Sequence, residues 1–200
     1  MDTILNKISD QINESIEVKR SIFLNDRLIF DISKAVSIII EAYESNHKTL
    51  FTGNGGSAAD AQHLAGEFVG RFYFDRPGLA SVALTTNTSI LTSVGNDYGF
   101  EKIFARQVYA QGCAGDVFIG LSTSGDSVNV IEALTVCKEI GIKTIGLTGQ
   151  TGGKMAELCD VCLRVPSMET PRIQESHIMI GHIICCLVED HLFNHLKPIK

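Results

Sequence analysis

Positive charge is in short supply in this chain. Seventeen Lys and Arg stand against 23 Asp and Glu, leaving a net charge of −6. A nucleic-acid scaffold normally shows a basic face, so that class is not expected. No basic amino-terminal segment followed by an apolar core appears, which argues against export. Long apolar runs are scarce too. Stretches such as Ile178 to Val188 are too short and too interrupted to span a bilayer. The expectation is a cytosolic protein with neither nucleic acid nor membrane as partner. Six cysteines in a 200-residue chain without an export signal need not form a disulfide framework. Cys185 and Cys186 fall in an apolar helical stretch, Cys137 in another, and Cys113 beside a turn. Cys159 and Cys162 make one CxxC, and a structural zinc site would need two more ligands at suitable spacing. All six read as buried, reduced thiols.

Gly and Pro are missing from Met1 to about Asn46, and the pattern there is helical. Ile4, Ile8, Ile12 and Ile16 recur every four residues, and Ile29, Ile32, Val36, Ile39 and Ile40 continue an apolar stripe. Two helices joined near Asn25 are expected, serving oligomer contacts or covering their own sheet. Beyond them short apolar runs alternate with helical patterns. Strands are predicted at Leu50-Phe51, Leu79–Leu84, Asp116–Leu121, Lys143–Thr148 and Val161–Val165. Thr86-Asn87-Thr88 reads as a turn into a short helix ending near Gly95, and further helices are predicted at Glu101–Gln111, Val128–Ile140 and Gly152–Leu158, and from Pro171 to about His195. Asn96-Asp97-Tyr98-Gly99 reads as a polar turn. Such alternation predicts one α/β domain over residues 1–200, a doubly wound, mostly parallel sheet flanked by helices. Ligands of such sheets bind outside the carboxyl ends of the strands. The turns Gly53–Ser57, Ser122–Ser127 and Thr148–Gly153 all fall there.

Thr49 to Arg71, TLFTGNGGSAADAQHLAGEFVGR, organises the chain. A buried strand gives way to Gly53-Asn54-Gly55-Gly56, where backbone can approach a ligand closely. Ser57 stands where a helix N-cap is expected, with Ala58, Ala59 and Ala61 behind it. Unpaired N–H groups and the helix dipole would then both face the turn and attract an anion. His63 and Glu67, four apart, share one face of that helix. Asp60 reads as an acid stabilised by the helix N-terminus. Arg71 could reach a site, a neighbouring subunit, or Glu67 in a plain ion pair. Ser122-Thr123-Ser124-Gly125-Asp126-Ser127 is a second anion candidate, with four hydroxyls in six residues after a buried strand. A loop whose hydroxyls merely cap the next helix is the plainer alternative.

NGGSAADAQHLAGEF, then GNDYGF, then LSTSGDSVNV resembles the SIS (sugar isomerase) fold, and within it the phosphoheptose isomerase family, also called sedoheptulose 7-phosphate isomerases. The resemblance covers essentially the whole chain, and it implies a flavodoxin-like three-layer sandwich. It implies that Asn54, Gly55, Gly56, Ser57, Asn96 and Asp97 contact the sugar phosphate. Ser122, Thr123, Ser124 and Ser127 would hold the phosphate itself. His63, Glu67, Gln174 and His182 match the family's zinc ligands, one zinc per subunit. Glu67 and Gln174 also match positions that touch substrate, and Glu67 and His182 match its acid–base pair. A homotetramer with sites near subunit boundaries is implied as well. Asp126, where close relatives often have Asn, should point away from the phosphate or weaken its binding a little.

The residues bear on that assignment independently. Gln174 and His182 are eight apart, about 80° around a helix, and converge only if the helix presents both its start and a later turn. Gln is a weak neutral ligand, so the set suits an exchangeable metal with open positions. His177, His191, His195 and His47 read as core or surface residues. The activity implied is conversion of sedoheptulose 7-phosphate to D-glycero-D-manno-heptose 7-phosphate, with Glu67 and His182 as acid and base in either order. A non-catalytic SIS protein that binds a partner, like the replication-initiator-associating relative, is the alternative, and such a protein has no need of the His63/Glu67/Gln174/His182 set. A phosphosugar-sensing regulator would need a DNA-binding module, and no helix-turn-helix with a basic recognition face is found.

Overall fold

In the computed structural model, which describes residues 2–197, the chain opens with α1 (Asp2–Phe23) and α2 (Asp26–Glu44). Residues 1 and 198–200, the two ends of the expected 1–200 domain, lie outside the described residues. The break falls at Asn25, whose Oδ1 accepts the Leu28 N–H at 3.0 Å and caps α2. Then come β1 (Thr49–Thr52), α3 (Gly56–Val69), β2 (Ser81–Ala83), α4 (Thr88–Tyr98), α5 (Ile103–Gln111) and β3 (Val117–Leu121). The remainder is α6 (Val128–Ile140), β4 (Lys143–Thr148), α7 (Met155–Leu158), β5 (Val161–Arg164) and α8 (Thr170–Phe193). The five strands form one parallel sheet in the order 2-1-3-4-5.

Side chains alternate across this sheet because successive residues of a strand point to opposite faces. Phe51, Val117, Ile119, Leu121, Ile145 and Leu147 pack with α2, α3 and α8 in one core layer. Leu50 and Phe118 face the other way, into a second layer with Phe104 and Val108 of α5, Val130 and Leu134 of α6, and Met155 of α7. Strands covered on both faces read as continuous apolar runs, and the result is a doubly wound, three-layer fold. By length and composition α8 could cross a membrane. Its Ile173, Ile180, Ile184 and Val188 are buried in the first layer, however, which makes it a core helix.

Several expected boundaries move, each for a backbone reason. α4 runs on through Asn96 and Asp97 to Tyr98, where a polar turn was expected. Gly95 fits inside the helix, and Gly99, at φ 95°, ends it. A 3₁₀ turn at Phe100–Lys102 then leads into α5. α7 starts only at Met155, because Gly152 (φ 77°) and Gly153 (φ 50°) are left-handed and cannot belong to a right-handed helix. The thiols are all free, but not all buried: Cys113 is exposed at the bend before β3, and Cys159, Cys162 and Cys186 are only partly covered. The α1 stripe stays uncovered as well. Ile4, Ile8, Ile12 and Ile16 are 65%, 52%, 57% and 54% exposed, so α1 does not use them to cover its own sheet.

Candidate functional site

In the order 2-1-3-4-5 the winding reverses between β1 and β3, which leaves a crevice beyond their carboxyl ends. Gly53-Asn54-Gly55 borders it from β1. Here the expectation of Ser57 as N-cap fails. Gly55 is the cap, at φ 56°, and its carbonyl accepts the N–H groups of Ala58 and Ala59 at 3.1 and 3.3 Å. A side chain at that φ would be strained, whereas glycine adopts it freely. Ser57 instead sits buried in the first turn, among the N–H groups that have no partner within the helix.

Ser122–Ser127 borders the crevice from β3. Ser122 Oγ lies 2.8 Å from Ser127 Oγ and accepts the Gly125 N–H at 3.2 Å, while Ser124 Oγ accepts the Asp126 N–H at 3.1 Å. Asp126 turns aside, its Oδ1 accepting the Lys154 N–H at 3.0 Å. Thr123 offers its carbonyl to Gly149 N–H at 2.9 Å. The two borders are joined by Asn54 and Asn129, whose amides exchange two hydrogen bonds of 2.9 Å. Beside the serine loop a cavity of about 320 Å³ opens between Ser124, Gln150, Ser167, Thr170 and Ile173. Asn129, Gln150, Ser167 and Thr170 escaped the sequence reading. The signals were there for two of them: Asn129 lies in the first turn after the serine loop, and Gln150 in the Thr148–Gly153 turn.

His63 and Glu67 lie one turn apart on α3, with Nε2 3.1 Å from Oε1. α8 runs beside α3 in the same direction. Gly181 lets Leu64 come so close that a Cβ there would lie 2.5 Å from it, and this contact brings the next residue, His182, to His63. Their Nε2 atoms stand 2.8 Å apart, a distance at which one imidazole donates and the other accepts. Three candidate side chains from two helices thus converge, with His63 half exposed and Glu67 partly covered. The Phe72 ring lies 5.5 Å from that of His182, beside a 440 Å³ groove that Ile178, Met179 and Ile183 also line.

The other candidates make no hydrogen bond to this cluster. The Gln174 carboxamide rests against Gly56, where an added Cβ would lie 2.7 Å from its Nε2, and it makes no hydrogen bond to the three. Asn96 and Asp97 are exposed on the last turn of α4 and bond to each other at 2.8 Å. Arg71 makes no ion pair with Glu67, which pairs with His63 instead. Asp60 is no simple helix-start acid. Burial raises its pKa against the pull of nearby His63 and His182, and its Oδ2 is buried without a hydrogen-bond partner.

Two imidazoles and a carboxylate within 4.8 Å of one another are a chemically suitable donor set for zinc with open positions. Two nitrogens bound tetrahedrally at about 2.05 Å would stand about 3.3 Å apart, so the two rings need open by only about half an ångström. His47, Cys113 and Asp116 form a second group within the same limit. There the Asp116 carboxylate is already saturated by the N–H groups of Lys48 and Cys113 and by the Lys48 ammonium at 2.6 Å, and it ties the start of β1 to that of β3. That group is structural.

A doubly wound sheet with a glycine turn and a serine loop at its switch crevice defines a class of phosphosugar-binding proteins. The SIS domain family matches residues 5–149, and the chain belongs to it. Three of its relatives bear the same name. A phosphoheptose isomerase of Aneurinibacillus thermoaerophilus is 62% identical over 94% of this chain and 95% of its own. Phosphoheptose isomerase 2 of Campylobacter jejuni is 60% identical over 96% of each chain. Among solved structures, the phosphoheptose isomerase of Neisseria gonorrhoeae superposes with a TM-score of 0.88 at 43% identity, covering 94% of this chain and 99% of the other.

Proposed function

We propose that this chain is an aldose–ketose isomerase that converts sedoheptulose 7-phosphate to D-glycero-D-manno-heptose 7-phosphate. The reaction would be the first step toward a nucleotide-activated heptose for surface polysaccharide. One observation carries the reading beyond family membership. The His63–Glu67–His182 cluster begins at His63, seven residues or about 10 Å along α3 from Gly56 at the crevice. An extended seven-carbon phosphate ester is itself about 10 Å long from phosphorus to C1. A phosphate held at one end would therefore bring C1 and C2 to the cluster at the other.

In this proposal Ser122, Thr123, Ser124 and Ser127 take the phosphate with the N–H groups of Gly55, Gly56 and Ser57. Asn54, held by Asn129, and Gln174, resting on Gly56, contact the chain of the sugar. Asn96 and Asp97 are assigned to substrate on the resemblance alone. Glu67 commits Oε1 to His63, while its Oε2 has no hydrogen-bond partner among the described residues. That free oxygen is the base that takes the C1 proton and returns it to C2. While no metal stands between their Nε2 atoms, His182 shares a proton with His63 and can service the two oxygens; a metal on those nitrogens would displace that proton. Zinc, held by His63, Glu67 and His182, would supply polarisation of the carbonyl when bound. With one oxygen of Glu67 at the ligand position and the other free, ligand and base need not be the same atom. The chain is read as a single SIS domain over residues 1–200, cytoplasmic, and a homotetramer through surfaces that include α1.

Turnover of sedoheptulose 7-phosphate by the purified chain tests this, with zinc, with chelator, and in Glu67→Gln and His182→Ala. Each substitution is expected to lower kcat by about 10²- to 10⁴-fold, the usual worth of a general acid or base, with KM far less affected. A wild-type chain that binds sugar phosphate without turning it over would sink the isomerase and favour a partner-binding SIS protein.

A further inference from the structure

Between α3 and β2 the chain is irregular, yet a buried ion pair fastens it. Arg76 and Glu189 are 1% and 2% exposed, with Nε 3.1 Å from Oε2. The rest of the guanidinium caps the end of α3. Nη2 donates to the Glu67 carbonyl at 2.9 Å, and Nη1 to the carbonyls of Phe68 and Pro77 at 2.6 and 3.0 Å. The Glu189 carboxylate accepts the N–H groups of Phe72 and Tyr73, both at 2.7 Å. Burial alone would raise its pKa, but those two donors and Arg76 outweigh it and hold the carboxyl below the usual range. The Phe72 ring, fixed in this way, lies against His182. The pair thus reaches the main chain of one acid–base residue directly and the ring of the other through a single side chain.

We propose that Arg76 and Glu189 are positioning residues for the isomerase centre, setting the last turn of α3 that carries Glu67 and the Phe72 wall behind His182. The inference rests on the isomerase reading. Its physical ground is that a buried ion pair gives little stability over apolar side chains of the same volume, so its worth lies in where it holds the chain. The fork of Arg76 spans a carboxylate and three carbonyls, which a lysine ammonium cannot do.

The test uses the full-length chain labelled with ¹⁵N-histidine, comparing wild type with Arg76→Lys, Glu189→Gln and Phe72→Leu. Ring signals are assigned by His63→Gln and His182→Gln, and turnover is measured on the same samples. In Arg76→Lys and Glu189→Gln the signals of His63 and His182 are expected to move. Those of His47 and His177, which do not touch the pair, are expected to stay. Turnover should show kcat lower by about 10²-fold, the cost of misplacement by about 1 Å, with KM changed by less than about threefold. Unmoved His63 and His182 signals, or all four moving together, would overturn the proposal, as would full kcat in a folded variant. If neither variant folds, Phe72→Leu decides. It lies outside the ion pair, and it should move His182, with His63 following only through their shared hydrogen bond, and lower kcat; an unmoved His182 overturns the relay. Were the wild type inactive, the isomerase reading would fall, while the ring signals would still decide whether the pair positions the two histidines.

Discussion

His177 and His63 are both histidines on helices, and locally only Glu67, one turn beyond His63, separates them. Packing does the rest. His177 has no exposed surface, and its Nε2 lies 3.1 Å from the Thr148 carbonyl. A carbonyl only accepts, so Nε2 carries the proton and Nδ1, buried without a partner, holds a lone pair. Burial pushes this pKa down to about 4, and the bond to Thr148 only partly opposes it. The unfolded chain therefore binds a proton below about pH 6.5 that the folded one refuses until about 4, so stability falls as pH falls through that window. The loss should be about 3 kcal/mol between pH 7.5 and 4 from this residue. Denaturant melts across that range should show it, and His177→Gln should flatten this part of the slope. The residue scale also marks a limit of the sequence. His63 and Glu67 could be paired from their spacing alone, since four residues close one helical turn. His182 lies 119 positions away, and only a resemblance or a packed helix pair brings it to them. Asn129 could be placed beside the serine loop, but its bridge to Asn54, 75 positions away, was out of reach for the same reason.

At the scale of elements the strands were legible, because central parallel strands are short apolar runs bounded by Gly, Ser and Asn. Helix ends were less so, since a helix starts or stops on a φ angle rather than on a residue type. Ser57 looked like a cap and Gly55 is one; Gly95 looked like a stop and Gly99 is one. The serine loop shows how much can hang on such an angle. Gly125 is left-handed at φ 73°, and a Cβ there would lie 2.0 Å from the Gly152 carbonyl oxygen. Gly125→Ala should therefore push the loop off its neighbour. It should cost more than about 1–2 kcal/mol, the strain of a left-handed residue alone. Calorimetry should also find sugar-phosphate binding lost, because the hydroxyls of Ser122 and Ser124 are held by the N–H groups of this turn. Unchanged binding would show that the loop is not the phosphate cradle.

For the molecule as a whole, the exposed isoleucines of α1 are the clearest unspent feature. If they join subunits, Ile8→Lys with Ile12→Lys should reduce the mass found by light scattering. The chain's own fold should be almost unaffected, since substitutions at exposed positions usually shift stability by less than about 0.5 kcal/mol. An unchanged mass would remove α1 from the interface. The two core layers carry a further consequence, one for the order of events during synthesis. The layer around Phe118 draws its buried residues from Leu50 to Met155, so it can close without α8. The layer on α2 cannot, because its partners run from Ile22 to Val188. The apolar face of α2, which packs on β3 and β5 as well as on α8, therefore stays only partly covered until that helix docks. A nascent chain stalled before α8 would be a ready client for chaperones, and one stalled with α8 still inside the ribosome would be no better covered.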